Sequence, residues 1–325
     1  MKAFLLTVAA LLVSAPSTVS SQIYKTTPAL LDEVHYYVSD RKAAEGFFIE
    51  HLAARILPHP PPRSLEHITF LSLRSGEGTI NISPRGPFAG IQGPEQDHWK
   101  QQNTFSAEEP PPSYGLYWLG IRTSSFHQTL TRLEIEGIKV SQRSLSLPHD
   151  ILARAALIEG PDYNRIALVE RKKKNRSMAN EKSSWGDFSI DHLLLLVKDT
   201  KENEVFFRDL FGGKVTSRRP AVTTMKIADA TIVLAEPEAL GIKREDIQVR
   251  DPDKLSLGDT QIRFLYFDIK PAVEMAKARG YKVIFDGTRM TYFDQPTVYT
   301  VALTFSPDGL QIEMAQEVGR TGPRI

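Results

Sequence analysis

The chain repeats itself, and the repeat limits what it can fold into. VHYYVSD (Val34–Asp40) and LLLLVKD (Leu193–Asp199) each run an apolar stretch into an aspartate. Each aspartate stands seven residues before a Phe-Phe pair, Phe47–Phe48 and Phe206–Phe207. The apolar run reads as a buried strand. Asp40 and Asp199 sit where helix N-caps belong, because a carboxylate there accepts the orphan N–H groups of the first turn. Gly212 and Gly213 close the second of these helices.

A further pair of units follows the same plan. TSSFHQTLTRLEIEGIKV (Thr123–Val140) puts Phe126, Leu130 and Leu133 on one helical face and stops at Gly137. DIKPAVEMAKARGYKV (Asp268–Val283) does so with Ile269, Val273 and Ala276 and stops at Gly280, with Pro271 in the first turn, where its missing N–H costs nothing. The strands PDYNRIALVE (Pro161–Glu170) and PDGLQIEMAQ (Pro307–Gln316) end the two halves. Strand, helix and several strands thus recur four times. One such unit cannot bury its own sheet face, so the units must pair. The fold class is α+β, four βαβββ modules in two domains, and sequence neighbours are expected to pair.

Composition bounds the rest. The chain has 325 residues, enough for two domains. A net charge of +1 gives no field favouring nucleic acid, and the basic run from Arg171 lacks interleaved aromatics, so it reads as a solvated linker. The absence of cysteine excludes disulfides, thiolate metal sites and cysteine nucleophiles. Lys2 followed by AFLLTVAALLV (Ala3–Val13) has the build of a secretory leader cleaved before Gln22, and it is too short to anchor the chain as a spanning helix. The expectation is an exported protein, secreted or periplasmic, without a stable membrane anchor. The segments are a leader 1–21, a first domain 22–170, a linker 171–187, a second domain 188–316 and a tail 317–325. Residues 86–113, rich in Pro and Gly, read as a long loop within the first domain.

The sequence H-x4-V-x-D from His192 to Asp199, the Phe pair, Gly-Gly and P-D-G-x-x-I-E from Pro307 to Glu313 resemble the vicinal oxygen chelate superfamily. That superfamily includes glyoxalase I, extradiol dioxygenases and bleomycin-resistance proteins. The resemblance implies modules curved around a cavity, a divalent metal (Fe, Ni, Zn or Mn) and a small substrate with adjacent oxygens. Lyase, isomerase and dioxygenase chemistry all fit, and the alternative is a non-catalytic binding protein.

Carried onto this chain, the ligand positions fall on His192, Gln261 and Glu313, with Glu313 also the candidate catalytic base and Arg263 the candidate substrate contact. Alternation places His192, Leu194 and Leu196 on one face of their strand and Leu193, Leu195 and Val197 on the other. The fourth position of the second domain falls near Val233. His192 is either a metal ligand or a core histidine satisfied by a neighbour. In the first domain the corresponding positions fall on Glu33, with His35 further along the same face, Trp118 and Ala167. These make a poor ligand set, so the first domain is expected to carry no metal.

Overall fold

A computed structural model describes residues 30–56, 69–72, 79–84, 112–142, 152–171, 188–228, 230–249, 260–291 and 297–320. The leader, the linker from 172 to 187 and residues 86–111 of the long loop lie outside the described residues.

Four modules are present. Module 1 contains β1 (Leu30–Val38), α1 (Arg41–Gly46), β2 (Arg55–Ile56), β3 (Thr69–Ser72) and β4 (Thr79–Pro84). Module 2 contains β5 (Gly115–Arg122), α2 (Phe126–Ile135), β6 (Val140–Gln142), β7 (Leu152–Glu159) and β8 (Arg165–Arg171). Module 3 contains β9 (Ser189–Leu196), α3 (Thr200–Phe211), β10 (Lys214–Arg219), β11 (Val222–Ile227) and β12 (Ala230–Ala235). Module 4 contains β13 (Thr260–Tyr266), α4 (Lys270–Ala278), β14 (Val283–Thr291), β15 (Thr297–Phe305) and β16 (Gln311–Arg320).

The local chemistry read from the sequence builds these elements. The Asp40 side chain accepts the Ala43 N–H, and that of Asp199 accepts those of Lys201 and Glu202. Gly212 ends α3 in the left-handed region at φ 67°, a conformation that costs a side-chain-bearing residue energy. Each Phe pair is edge-to-face, with centroids 5.3 and 5.2 Å apart.

The pairing of the modules departs from the expectation. The described strands form two eight-stranded sheets, β14-β15-β16-β13-β1-β4-β3-β2 and β10-β11-β12-β9-β5-β8-β7-β6. Module 1 therefore pairs with module 4 in an outer sheet, through antiparallel β1 and β13. Module 2 pairs with module 3 in an inner sheet, through antiparallel β5 and β9. Segments 22–170 and 188–316 are not self-contained sheets, and β16 runs to Arg320, into the expected tail.

Face polarity supplies the reason. On the side away from the helices, modules 2 and 3 carry Trp118, Ala167, Leu194 and Val233, which pack together as one apolar cluster. Modules 1 and 4 carry Glu33, His35, Gln261 and Glu313, all buried. Pairing neighbours would set buried charge against hydrocarbon in both cavities, which is costly without a partner. The nested pairing puts like with like.

One continuous core collects the helix-side residues of both sheets, including Val34, Tyr36, Leu193, Leu195, Phe206, Phe264 and Ile312. Sequence neighbours meet there through their helices. Phe211 of α3 packs on Phe264 of β13 at 4.8 Å, and Tyr266 Oη donates to the Leu210 carbonyl at 2.9 Å.

Candidate functional site

The site on the outer sheet follows from register. Directly paired residues share a face of a sheet. Gln261 of β13 pairs with His35 of β1 and Gln311 of β16, and Arg263 pairs with Glu33 and Glu313. Two rows, His35–Gln261–Gln311 and Glu33–Arg263–Glu313, thus cross three strands on one face. Their neighbours Val34, Ile262 and Ile312 point into the helix-side core. On β15, Leu303 pairs with Glu313 and Phe305 with Gln311, and both are buried, giving the polar rows an apolar border.

Within the rows the contacts are short. Gln261 Nε2 donates to Glu313 Oε2 at 2.7 Å. Arg263 Nε donates to Asp32 Oδ2 at 2.6 Å, and its Nη1 lies 3.1 Å from Glu33 Oε2 and 4.0 Å from Glu313 Oε1. The guanidinium also lies 5.4 Å from the Tyr299 ring centre. Asp32 reaches it because a register shift between Leu31 and Glu33 inserts an extra residue into β1. Burial, with the Arg263 charge adding to it, lowers the His35 pKa to about 3, so the ring is neutral at physiological pH.

Of the residues singled out from the sequence, Gln261, Glu313 and Arg263 come together, and His192 does not join them. His192 lies in β9 of the inner sheet, opposite Gly120 of β5. Trp118 Nε1 donates to His192 Nε2 at 3.0 Å, and His192 Nδ1 lies 3.0 Å from Asp191 Oδ2. Indole is a donor only, so Nε2 must accept and the ring proton sits on Nδ1, facing Asp191. Burial alone would raise the Asp191 pKa. The hydrogen bonds from His192 and Arg171, with the Arg171 charge beside it, outweigh burial and hold it well below the usual carboxylate range. His192 is a satisfied core histidine, in the setting the alternation of β9 predicts.

The residues that join Gln261 and Glu313 instead are Glu33 and His35. The sequence placed both on the cavity face but in a different domain. The signal that finds them is shared face polarity, because they are the polar complement of module 4.

The metal implied by the resemblance can be tested on this donor set. Glu33, His35, Gln261 and Glu313 are all ligand types. No group of three His, Cys, Asp or Glu side chains among the described residues is arranged to hold an ion. Moreover, Arg263 Nη1 stands in the space that the carboxylates of Glu33 and Glu313 would share. A divalent ion bonded at roughly 2.0–2.2 Å to both would collide with a like charge there. The arrangement, with Arg263 in place, does not fit a metal.

Paired βαβββ modules over two faces, one apolar and one lined by buried polar rows, define a protein of the glyoxalase fold. Residues 189–314 match the family model of the Glyoxalase/Bleomycin resistance protein/Dioxygenase superfamily. The matched segment spans modules 3 and 4, which contribute to different sheets. Among solved structures, glyoxalase I from Zea mays is similar at 13% identity and a TM-score of 0.56, covering 89% of this chain and 92% of that one. A putative dioxygenase from Bacillus subtilis subsp. subtilis str. 168 is similar at 12% identity and 0.58, covering 88% and 84%. These likenesses establish the fold. No curated protein sequence matches the chain.

Proposed function

We propose that the polar rows of the outer sheet are the active centre of an enzyme acting on a small substrate with adjacent oxygens, by proton abstraction next to a carbonyl. The observation that carries this reading is the pair of in-register rows, His35–Gln261–Gln311 and Glu33–Arg263–Glu313, on one face, all buried but the half-buried Arg263. The corresponding face of the inner sheet carries an apolar cluster, and the one histidine beside it, His192, is engaged by Trp118 and Asp191.

In this reading Glu313 takes the proton from the carbon beside the carbonyl. The C–H electron pair moves into the new C–C double bond, and the carbonyl electrons move onto oxygen. That oxygen faces Arg263, whose charge stabilises it. Gln261 orients the Glu313 carboxylate through its 2.7 Å hydrogen bond. The apolar border of Leu303 and Phe305 lowers the local polarity, which strengthens the electrostatic interactions. In an α-hydroxyketone, return of the proton to the former carbonyl carbon, with the hydroxyl proton passing to the enolate oxygen, gives an isomerase, and expulsion of a group from the carbon next to the carbanion gives a lyase. Both are redox-neutral. The divalent-metal form of this chemistry, with Fe, Ni, Zn or Mn, does not fit the site with Arg263 in place, and no step depends on it. A second reading, non-catalytic capture of a small molecule, draws support from the engagement of Glu313 by Gln261 at 2.7 Å, because an oxygen already held by a hydrogen bond is less available to take a proton.

The test is a panel of vicinal dicarbonyls, α-hydroxyketones and catechols, screened by calorimetry and by solvent deuterium incorporation. We expect Glu313→Gln to retain binding and lose exchange, and Arg263→Gln to weaken binding at least about tenfold. Val233→Ala, on the inner sheet, should leave both unchanged. Binding lost in Val233→Ala and kept in the outer-sheet variants would overturn the reading. We also place the chain outside the cytoplasm because of its leader-like start, and the exported protein should begin near Gln22 by intact mass.

A further inference from the structure

We infer that Arg263 is the built-in cation of the site: its guanidinium takes the position between Glu33 and Glu313, excludes a divalent ion, and its removal converts the outer sheet into a metal site. This inference rests on reading the outer-sheet rows as the functional centre.

Four observations place the guanidinium there. Glu33, Arg263 and Glu313 form one register row across β1, β13 and β16, so the arginine lies between two carboxylates by strand geometry. Its Nη1 is 3.1 Å from Glu33 Oε2 and 4.0 Å from Glu313 Oε1. The extra residue at the start of β1 supplies Asp32, which engages Nε at 2.6 Å and fixes the plane of the fork. Finally, the fold does not ask for a cation at this position. On the inner sheet, Gly120 faces His192 and Leu194 faces Trp118 across β5 and β9, just as Arg263 faces Glu33 across β13 and β1. Leu194 and Gly120 are the counterparts of Arg263, and neither carries charge.

The chemistry of the surroundings says what would replace it. Two carboxylates, an amide and a neutral imidazole are hard and intermediate donors, suited to a hard divalent ion such as Mn2+. With Arg263 present, that ion meets a positive charge in the same space. Arg263→Met keeps the length and apolar stem of the side chain and removes the charge.

The experiment is Mn2+ titration of the full chain by calorimetry and electron paramagnetic resonance, with unfolding followed in parallel in EDTA and in excess Mn2+. The wild type should bind Mn2+ weakly and unfold at the same temperature in both media. Arg263→Met should bind one equivalent at least about a hundredfold more tightly, and excess Mn2+ should raise its unfolding temperature, because an ion that binds the folded state stabilises it. Arg263→Lys, which keeps the charge, should stay within about tenfold of the wild type. The double variant Arg263→Met/Glu313→Gln should lose the gain. A purely structural role for Arg263 predicts a less stable Arg263→Met protein that Mn2+ does not rescue, and that result overturns the inference. So does one equivalent of tightly bound Mn2+ in the wild type, a measurement that needs no variant to fold. The two readings fail separately. If Arg263→Met gains Mn2+ while Glu313→Gln still exchanges deuterium with the panel compounds, the catalytic reading falls and the cation assignment stands. If Glu313→Gln loses exchange and Arg263→Met gains no metal, the reverse holds.

Discussion

At the scale of single residues, the inner sheet depends on a missing side chain. A Cβ at Gly120 would lie 2.3 Å from both Cε1 and Nδ1 of His192. The histidine ring is held by Trp118 and Asp191 and has no room to retreat. Gly120→Ala should therefore destabilise the protein by about 2–3 kcal/mol, as overpacking of a filled core does, and urea unfolding measures it. On the outer sheet, His35 is neutral in the fold with its pKa lowered to about 3, whereas the unfolded chain takes up the proton near 6.5. The unfolded state then binds more protons between these values, so stability is fully present above pH 6.5 and is lost as pH falls toward 3. About 2 kcal/mol should be gone by pH 5. His35→Gln should flatten urea-derived stability between pH 5 and 7, and an unchanged slope would count against this account. The facing of His192 was legible from strand alternation, because period two is set by the backbone itself, whereas the positions of Gln261, Glu313, Trp118, Ala167 and Val233 came from the family resemblance. The partner of His192 was not legible, because an indole and a metal ion make equal sense of a cavity-facing imidazole.

At the scale of elements, the proline-aspartate turns hold modules that follow one another in sequence. Asp308, in the turn before β16, accepts the Lys198 N–H at 3.1 Å and the Asn203 Nδ2 at 2.7 Å, just before and within α3. Asp162, in the turn before β8, accepts from Ser39 N and Oγ at 2.7 and 2.6 Å, just before α1. Both turns fasten the junction between the first strand and the helix of the preceding module. They differ in depth, since Asp308 is 3% exposed and the Ser39 contact lies at the surface. Asp308→Ala strands a buried amide and should cost about 2–3 kcal/mol, whereas Asp162→Ala should cost less than about 1 kcal/mol. Equal losses in urea titrations of the two variants would contradict this. The N-caps and helix stops were readable because they are local: an aspartate before a helix or a glycine after one carries its reason with it. The pairing of the sheets was not, since all four modules share the same strand alternation and differ only in the polarity of one face.

For the whole molecule, nested pairing makes the halves interdependent. A fragment of residues 22–170 holds β1 and β5 without β13 and β9, and a fragment of residues 188–325 holds the converse. Each exposes central strands as unpaired edges, which pair with whatever strand is near. Either fragment alone should self-associate, and the two mixed should give a soluble one-to-one complex, as size-exclusion chromatography with light scattering will report. A stable monomer from either fragment would contradict the nested arrangement.

The same nesting sets an order in time. As the chain leaves the ribosome, Glu33 and His35 emerge before Gln261, Arg263 and Glu313, which follow 226 to 280 residues later. The inner sheet can close while the outer one still lacks its second half. A chain that lacks module 4 can thus finish one sheet and hold none of Gln261, Arg263 or Glu313, so the polar rows of the outer sheet form only once module 4 has been made.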